Sequence, residues 1–377
     1  MKKVIISGVT GQDGSYMVDY LLANTDHLIY GLVRRTANPN TRNISHNLDN
    51  PRFQLVTADL SDYQSIESAV QEIQPDYFIN LAAQSFVGAS WQIPEQTFDV
   101  VALGVLRCLE AIRKHAPHCR FYSAGSSEEM GDVQYSPQDM NHPIRPRSPY
   151  GAAKAAARHL TKVYRESYGL YAIHGMLYNH ESERRGEEFV TRKIAKGVAR
   201  IARAIKDGKE FVALELGNLN AKRDYSHALD FVDGIWRMLN QTPFLNGKPH
   251  SMTDDEFVES CLKNRLWWPS EYLLASGETH SVRSLVEKAF EEAGIRGEWN
   301  GDGVNETHTL IGTRDDLGIA QSNVLVKVNP AFYRPADVQT LLGDSSKARQ
   351  ELGWSPQVTF DQLVERMVKS ELKEVGL

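Results

Sequence analysis

Near the N-terminus, Lys3-Val4-Ile5-Ile6-Ser7 runs straight into Gly8-Val9-Thr10-Gly11-Gln12-Asp13-Gly14. Few sequence features restrict a fold more. The short apolar run reads as a buried strand. Met17, Val18, Leu21 and Leu22 give 14–23 the spacing of a helix. Between them, G-x-x-G-x-x-G permits a tight turn and a close approach of backbone to a ligand. The helix N-terminus beyond it offers unpaired amides and the positive end of a dipole, which suits a pyrophosphate. Gly8, Thr10, Gly11, Gln12, Asp13 and Gly14 are therefore expected to cradle a dinucleotide.

The alternation continues. Residues 28–33 and 53–56 read as strands, 63–73 as a helix, 77–81 as a strand, 92–115 as a long helix and 120–123 as a strand. Such a pattern argues for a parallel sheet covered by helices on both faces, with ligands beyond the carboxyl ends of its strands. After about Asn179 the pattern is less regular. Helices are expected over 189–205, 225–239 and 360–372, and strands over 211–214, 272–275 and 324–328. The stretch 241–269 is rich in Pro, Asn, Asp and Trp and shows no period. With 377 residues, 41% of them hydrophobic, the chain can build one large or two medium cores. A net charge of -6 without a basic block argues against a nucleic-acid partner. No stretch approaches the ~20 apolar residues of a membrane span. Cys108, Cys119 and Cys261 lack metal or redox spacing and fit a reducing cytoplasm. The histidines form no ligand cluster, so no metal is expected.

The second strand ends in Val33-Arg34-Arg35-Thr36. An acidic residue there usually binds the ribose 2′-OH of NAD, whereas arginine suits a 2′-phosphate. Arg34 and Arg35 point to NADP; a subunit contact is the other use for them. Asp59-Leu60 is placed to meet the adenine. Leu81-Ala82-Ala83-Gln84-Ser85, small in part, suits the nicotinamide half.

The chemistry is carried by Ser148-Pro149-Tyr150-Gly151-Ala152-Ala153-Lys154. Tyr150 and Lys154 share a helical face, so the ammonium is expected to favour the phenolate. An isolated Y-x-x-x-K is common on helix surfaces. Here Ser123-Ala124-Gly125-Ser126-Ser127-Glu128 follows the fifth strand and points into the same crevice. Hydride transfer alone needs a hydroxyl, a Tyr and a Lys. The Glu128 carboxylate is surplus to that, and is what an elimination requires. A turn cap is its plainer role.

These elements, with Arg147-Ser148, Tyr178-Asn179-His180-Glu181-Ser182, Phe189-Val190-Thr191-Arg192-Lys193-Ile194, Leu216-Gly217-Asn218-Leu219, Ala221-Lys222-Arg223-Asp224, Gly343-Asp344-Ser345-Ser346-Lys347 and Leu352-Gly353-Trp354, resemble the GDP-mannose 4,6-dehydratase family of extended short-chain dehydrogenases/reductases. The resemblance covers nearly the whole chain. It implies an α/β fold, a Rossmann-like doubly wound parallel sheet with a smaller, mixed α/β substrate-binding domain. Residues 1–182 and a returning segment, about 221–243, would bind NADP; about 183–220 and 244–377 would bind the nucleotide sugar. It implies that Tyr150 takes the proton from O4 of the sugar, with Lys154 lowering its pKa. Glu128 removes the C5 proton, and Ser126, at the family's usual threonine position, holds O4. His180 and Arg185 become NADP ligands. Ser85, Ser127, Asn179, Val190, Lys193, Leu216, Gly217, Asn218, Lys222, Arg223 and Arg334 become GDP-sugar ligands, with GDP-mannose the leading substrate. A homotetramer is implied, in which Arg34, Arg35 and the segment to about Asn43 reach a neighbour's cofactor.

The chain departs from the family at several places. Glu128 is followed by Glu129-Met130, where the family usually has Tyr after Glu-x. Phe86 and Gly88 replace a His and a bulkier residue, Glu183 replaces a proline, and 241–266 is longer. These changes leave the sugar open: a GDP-linked acetamido hexose or heptose, or a UDP-sugar, are alternatives. A nucleotide-sugar epimerase or 4-keto reductase would keep Tyr150 and Lys154 but not need Glu128. A non-catalytic NADP(H) sensor would tend to lose Tyr150 or Lys154.

Overall fold

The computed structural model describes residues 1–243, 251–313, 324–333, 338 and 340–377. Its centre is a seven-stranded, wholly parallel sheet: β1 (Lys3–Ser7), β2 (Leu28–Val33), β3 (Phe53–Thr57), β4 (Tyr77–Asn80), β5 (Arg120–Ala124), β6 (Ala172–Leu177) and β7 (Leu273–Leu274). In space the order is β7-β6-β5-β4-β1-β2-β3. This is a Rossmann-like sheet, and its order reverses beside β1.

The doubly covered sheet follows from strand periodicity. Side chains alternate between faces, and in a central strand both faces are apolar. Val4 and Ile6 join one core with Met17, Val18 and Leu21 of the helix Gln12–Asn24 and Phe231, Val232 and Ile235 of Ala228–Leu239. Ile5 between them joins the opposite core, built from the helices Tyr63–Ile73, Gly104–His115 and Pro149–Tyr168. Tyr77, Phe78 and Ile79 divide in the same way.

A second, smaller layer carries its own core. Strands Ile295–Asn300, Thr307–Thr313, Val324–Val328 and Leu214–Leu216 form a mixed four-stranded sheet. The helices Val190–Lys206, Val282–Glu292 and Phe360–Glu374 pack with it through Ile194, Val198, Val286, Phe290 and Met367.

Several elements differ from the periodicity. The expected helix over 92–115 is broken into Pro94–Phe98, a π-turn Asp99–Leu103 and Gly104–His115. The segment expected as a helix from Tyr225 begins as a strand, Tyr225–His227, paired with Asn179–Glu181. His227 then caps the helix by accepting the Leu229 amide at 3.1 Å. The strand expected over 211–214 lies at Leu214–Leu216 instead. Within the aperiodic 241–269 stretch, Asp254–Lys263 is a helix closed by a Thr253/Glu256 capping box. All three cysteines are buried and unpaired. Among the described residues, no helix is long and apolar enough to cross a membrane.

Candidate active site

The carboxyl ends of β1, β2, β4 and β5 open into one cleft of about 1330 Å³ that runs on to the second layer. Its floor is the glycine turn. Gly8 has φ +70°, and a Cβ there would stand 2.7 Å from the Ala82 amide nitrogen. A Cβ on Gly14 would stand 2.3 Å from the Gly8 carbonyl oxygen, so the turn closes only without one. Gly11 caps the helix Gln12–Asn24 with no side-chain bond, which leaves first-turn amides facing the cleft. This cradle fits a dinucleotide pyrophosphate.

The turn is stitched to the strand Asn179–Glu181. Gln12 donates to the His180 carbonyl at 3.0 Å and accepts from the Ser182 hydroxyl at 2.7 Å. The Asp13 carboxylate meets His180 Nε2 at 2.9 Å. Burial alone would raise the Asp13 carboxyl, but the His180 charge and hydrogen bond bring it down to about 2. For His180, burial disfavours the imidazolium, yet Asp13 outweighs it and the ring's pKa rises.

Asp59, Leu60, Leu81, Ala82, Ala83, Gln84 and Ser85 all line the dinucleotide half, together with Thr10. Arg34 opens on the cleft with an exposed side chain; Arg35 does not line it. Arg185 lies on the cleft wall, paired with Glu181 at 3.0 Å and stacked 3.6 Å over the Phe189 ring.

At the far end of β5 the reactive groups converge. Ser148 caps the helix Pro149–Tyr168 by accepting the Gly151 amide at 3.0 Å, and Pro149 fills its first turn. That cap aims Tyr150 and Lys154 at the Ala124–Glu128 segment. Ser126 favours ionisation of the Tyr150 phenol, and the Glu128 charge opposes it. Ser126 also accepts the Glu128 amide at 3.3 Å. Ser126, Ser127, Glu128, Tyr150 and Lys154 share the cleft wall.

The expected Lys154–phenolate coupling takes a different form. Burial pushes the Tyr150 phenol well up; Glu128 and Glu129 push the same way, against Ser126 and Arg185. Lys154 makes its hydrogen bond elsewhere. Its Nζ donates to the Ala124 carbonyl at 2.5 Å and sits 5.8 Å from the Tyr150 ring centroid. Burial pulls the ammonium itself down to about 8, with Glu129 and Asp13 opposing. The protein groups alone therefore hold Tyr150 protonated.

Asn179, Val190, Lys193, Leu216, Gly217, Asn218 and Arg223 line the second-layer half. The Asn179 side-chain oxygen is buried without a hydrogen-bond partner. Lys193 lies 3.9 Å over the Phe332 ring, and burial lowers its pKa. Lys222 is exposed and does not line the cleft. Arg334 lies outside the described residues. Phe86 also lines the cleft; its ring covers Gly88, where a Cβ would stand 3.0 Å away, and meets Phe189 edge-on at 5.8 Å. The two departures at 86 and 88 are thus one packing unit. Sequence reasoning missed Glu129 and His174, a buried pair behind Ser126. The S-x-x-E spacing from Ser126 to Glu129 was the available signal.

Comparison with known proteins agrees in length and fold. The family model described as GDP-mannose 4,6 dehydratase matches residues 5–268 and 265–367. The GDP-mannose 4,6-dehydratase of Yersinia enterocolitica is 41% identical over 99% of this chain and 95% of its own. The Homo sapiens GDP-mannose 4,6 dehydratase is 39% identical over 98% and 91%. Among solved structures, a Streptomyces venezuelae dTDP-glucose 4,6-dehydratase with NAD bound superposes with a TM-score of 0.75, at 20% identity over 99% and 98% of the two chains.

Proposed function

The chain belongs to the GDP-mannose 4,6-dehydratase family, and from that premise we propose that it is an NADP-dependent dehydratase converting GDP-mannose to the GDP-4-keto-6-deoxy sugar. One observation carries the reading: a phenol, a hydroxyl and a carboxylate, from Tyr150, Ser126 and Glu128, meet at one end of a cleft whose other end is the glycine cradle. The amides of the Gln12–Asn24 helix hold the pyrophosphate, and Arg34 the 2′-phosphate. When bound, the oxidised nicotinamide would supply a positive charge that favours the Tyr150 phenolate, a hydride acceptor for C4 and, once reduced, a hydride donor for C6.

The residues divide the proton work. Ser126 holds the sugar O4 beside Tyr150, which takes the O4 proton as the 4-ketone forms. Lys154 fixes the site geometry through Ala124 and keeps positive charge beside the phenolate. The ketone acidifies C5–H. Glu128 takes that proton and delivers one to the departing C6 hydroxyl, so water leaves. As C6 is reduced, C5 takes a proton from solvent by way of Glu128, Tyr150 returns its proton to solvent, and O4 stays a carbonyl.

Asn179, Lys193, Asn218 and Arg223 bind the GDP half, with Val190, Leu216 and Gly217 forming its apolar support. Residues 1–182 and 221–243 form the NADP-binding part, with Leu273–Leu274 closing its sheet; 183–220 and the rest of 244–377 form the sugar-nucleotide part. Because Arg35 lies off its own cleft, we assign it to a neighbouring subunit's cofactor in a cytoplasmic homotetramer. Incubation with a panel of GDP- and UDP-sugars tests the reading. Loss of one water from GDP-mannose, with solvent deuterium entering C5, is expected. Turnover that leaves C5–H untouched would make the protein an epimerase or reductase instead.

A further inference from the structure

Behind the Ser126–Tyr150–Lys154 group lies a polar pair to which the dehydration chemistry gives no role. Glu129 and His174 are fully buried, with Glu129 Oε1 2.9 Å from His174 Nε2. The same oxygen accepts the Ser126 amide at 2.8 Å. His174 Nδ1 lies 3.2 Å from Ser123 Oγ on the adjacent strand. The imidazole is packed so tightly on the end of β5 that a Cβ on Gly125 would stand 2.4 Å from Nε2. Glycine at 125 is therefore a condition of the pair. Glu129 Oε2 is buried without a hydrogen-bond partner.

A buried ionisable pair is an expensive way to fill space; apolar side chains of like volume do so at less cost. Two observations indicate what this one does. Glu129 grips the amide of Ser126, which shares the cleft wall with Tyr150 and favours ionisation of its phenol. Its charge also reaches both Tyr150 and Lys154. We propose that Glu129 and His174 are a positioning pair for the proton chemistry: Glu129 fixes Ser126 through its amide and presents its carboxyl group to Lys154 and Tyr150, and His174 holds that group in place through Nε2. This rests on the assignment of Tyr150 and Lys154 as the proton-handling groups.

The charged surroundings are defined. Tyr150 and Lys154 face the pair from the helix Pro149–Tyr168, Tyr122 from β5, and Glu128 precedes Glu129 in the same turn. Asp13 adds its charge at Lys154 and Tyr122, and Arg185 at Tyr150. Behind His174 stands Glu271, held by Arg158 and Arg165.

Lys154 titrates in an accessible range, so the test needs no turnover. Lysine labelled with ¹³C at Cε is followed by NMR against pH, with Lys154 assigned by its loss in Lys154→Met. Glu129→Gln keeps an acceptor for the Ser126 amide but removes the charge; the Lys154 midpoint is expected to fall by about one pH unit. His174→Gln removes the ring that holds Glu129 Oε1, and the midpoint is expected to move as that carboxyl group shifts. In the turnover assay Glu129→Gln is expected to move the acid limb of kcat downward with little change in KM. Identical Lys154 midpoints in the wild type and both variants would overturn the proposal, whatever happens to their melting temperatures. Should Glu129→Gln not fold, His174→Gln decides alone, and an unmoved midpoint in it overturns the pair. Shifted midpoints in a protein that dehydrates no nucleotide sugar would sink the proposed function and leave the positioning role standing.

Discussion

Replacing Lys154 with methionine is expected to make the folded protein more stable at neutral pH while removing its activity. The ammonium is buried at 6% exposure, and its pKa falls from the ordinary 10.5 to about 8. Folding therefore opposes its charge. The unfolded chain holds the proton more tightly than the native one, so stability rises with pH between about 8 and 10.5 and carries the full penalty below about 8. The fall of roughly 2.5 pH units, at about 1.4 kcal/mol each, is worth about 3 kcal/mol. Methionine removes that penalty but leaves the Ala124 carbonyl without its donor, a loss of about 1–2 kcal/mol. A net gain of about 1–2 kcal/mol remains at pH 7. Urea unfolding of both proteins from pH 6 to 10 measures it. The difference should be largest below pH 8 and shrink or reverse by pH 10. A variant less stable than the wild type at pH 7, or a difference flat across that range, would refute the reasoning.

Three further outcomes are expected. Glu128→Gln should bind cofactor normally by fluorescence titration, yet lose water elimination by at least about 100-fold and with it deuterium entry at C5. Arg34→Ala should lower the preference for NADP over NAD by about tenfold in paired binding titrations, because the guanidinium at the end of β2 opens on the cleft. Gly14→Ala places a Cβ 2.3 Å from the Gly8 carbonyl. It should cost about 1–3 kcal/mol in urea unfolding, and weaken cofactor binding.

The parallel sheet was legible because its signal is local. Val4, Ile5 and Ile6 are apolar without a break, which only a strand buried on both faces requires, and the glycine turn follows at once. The placement of Tyr150, Ser126 and Glu128 on one cleft was legible for a related reason: each sits at a strand end or a capped helix start, and such ends point one way in a parallel sheet. The second layer was less so. Leu214–Leu216 is three residues long and gains its strand character from Val324–Val328, far along the chain. Tyr225–His227 leads directly into a helix and becomes a strand only by pairing with Asn179–Glu181. The π-turn at Asp99–Leu103 carries no periodic signature. The state of Tyr150 was misjudged because spacing supplies the distance to Lys154 but not the burial, and burial dominates.

The late arrival of β7 bears on how this polypeptide is made. Met176 and Tyr178 donate their amides to Tyr272 and Leu274, residues synthesised long after β6 has left the ribosome. Until then the nascent sheet has a raw hydrogen-bonding edge at β6, every residue of which is buried in the finished fold. Chains terminated before Tyr272 should therefore stick to one another edge to edge, and nonsense or frameshift products ending there are natural clients for chaperones.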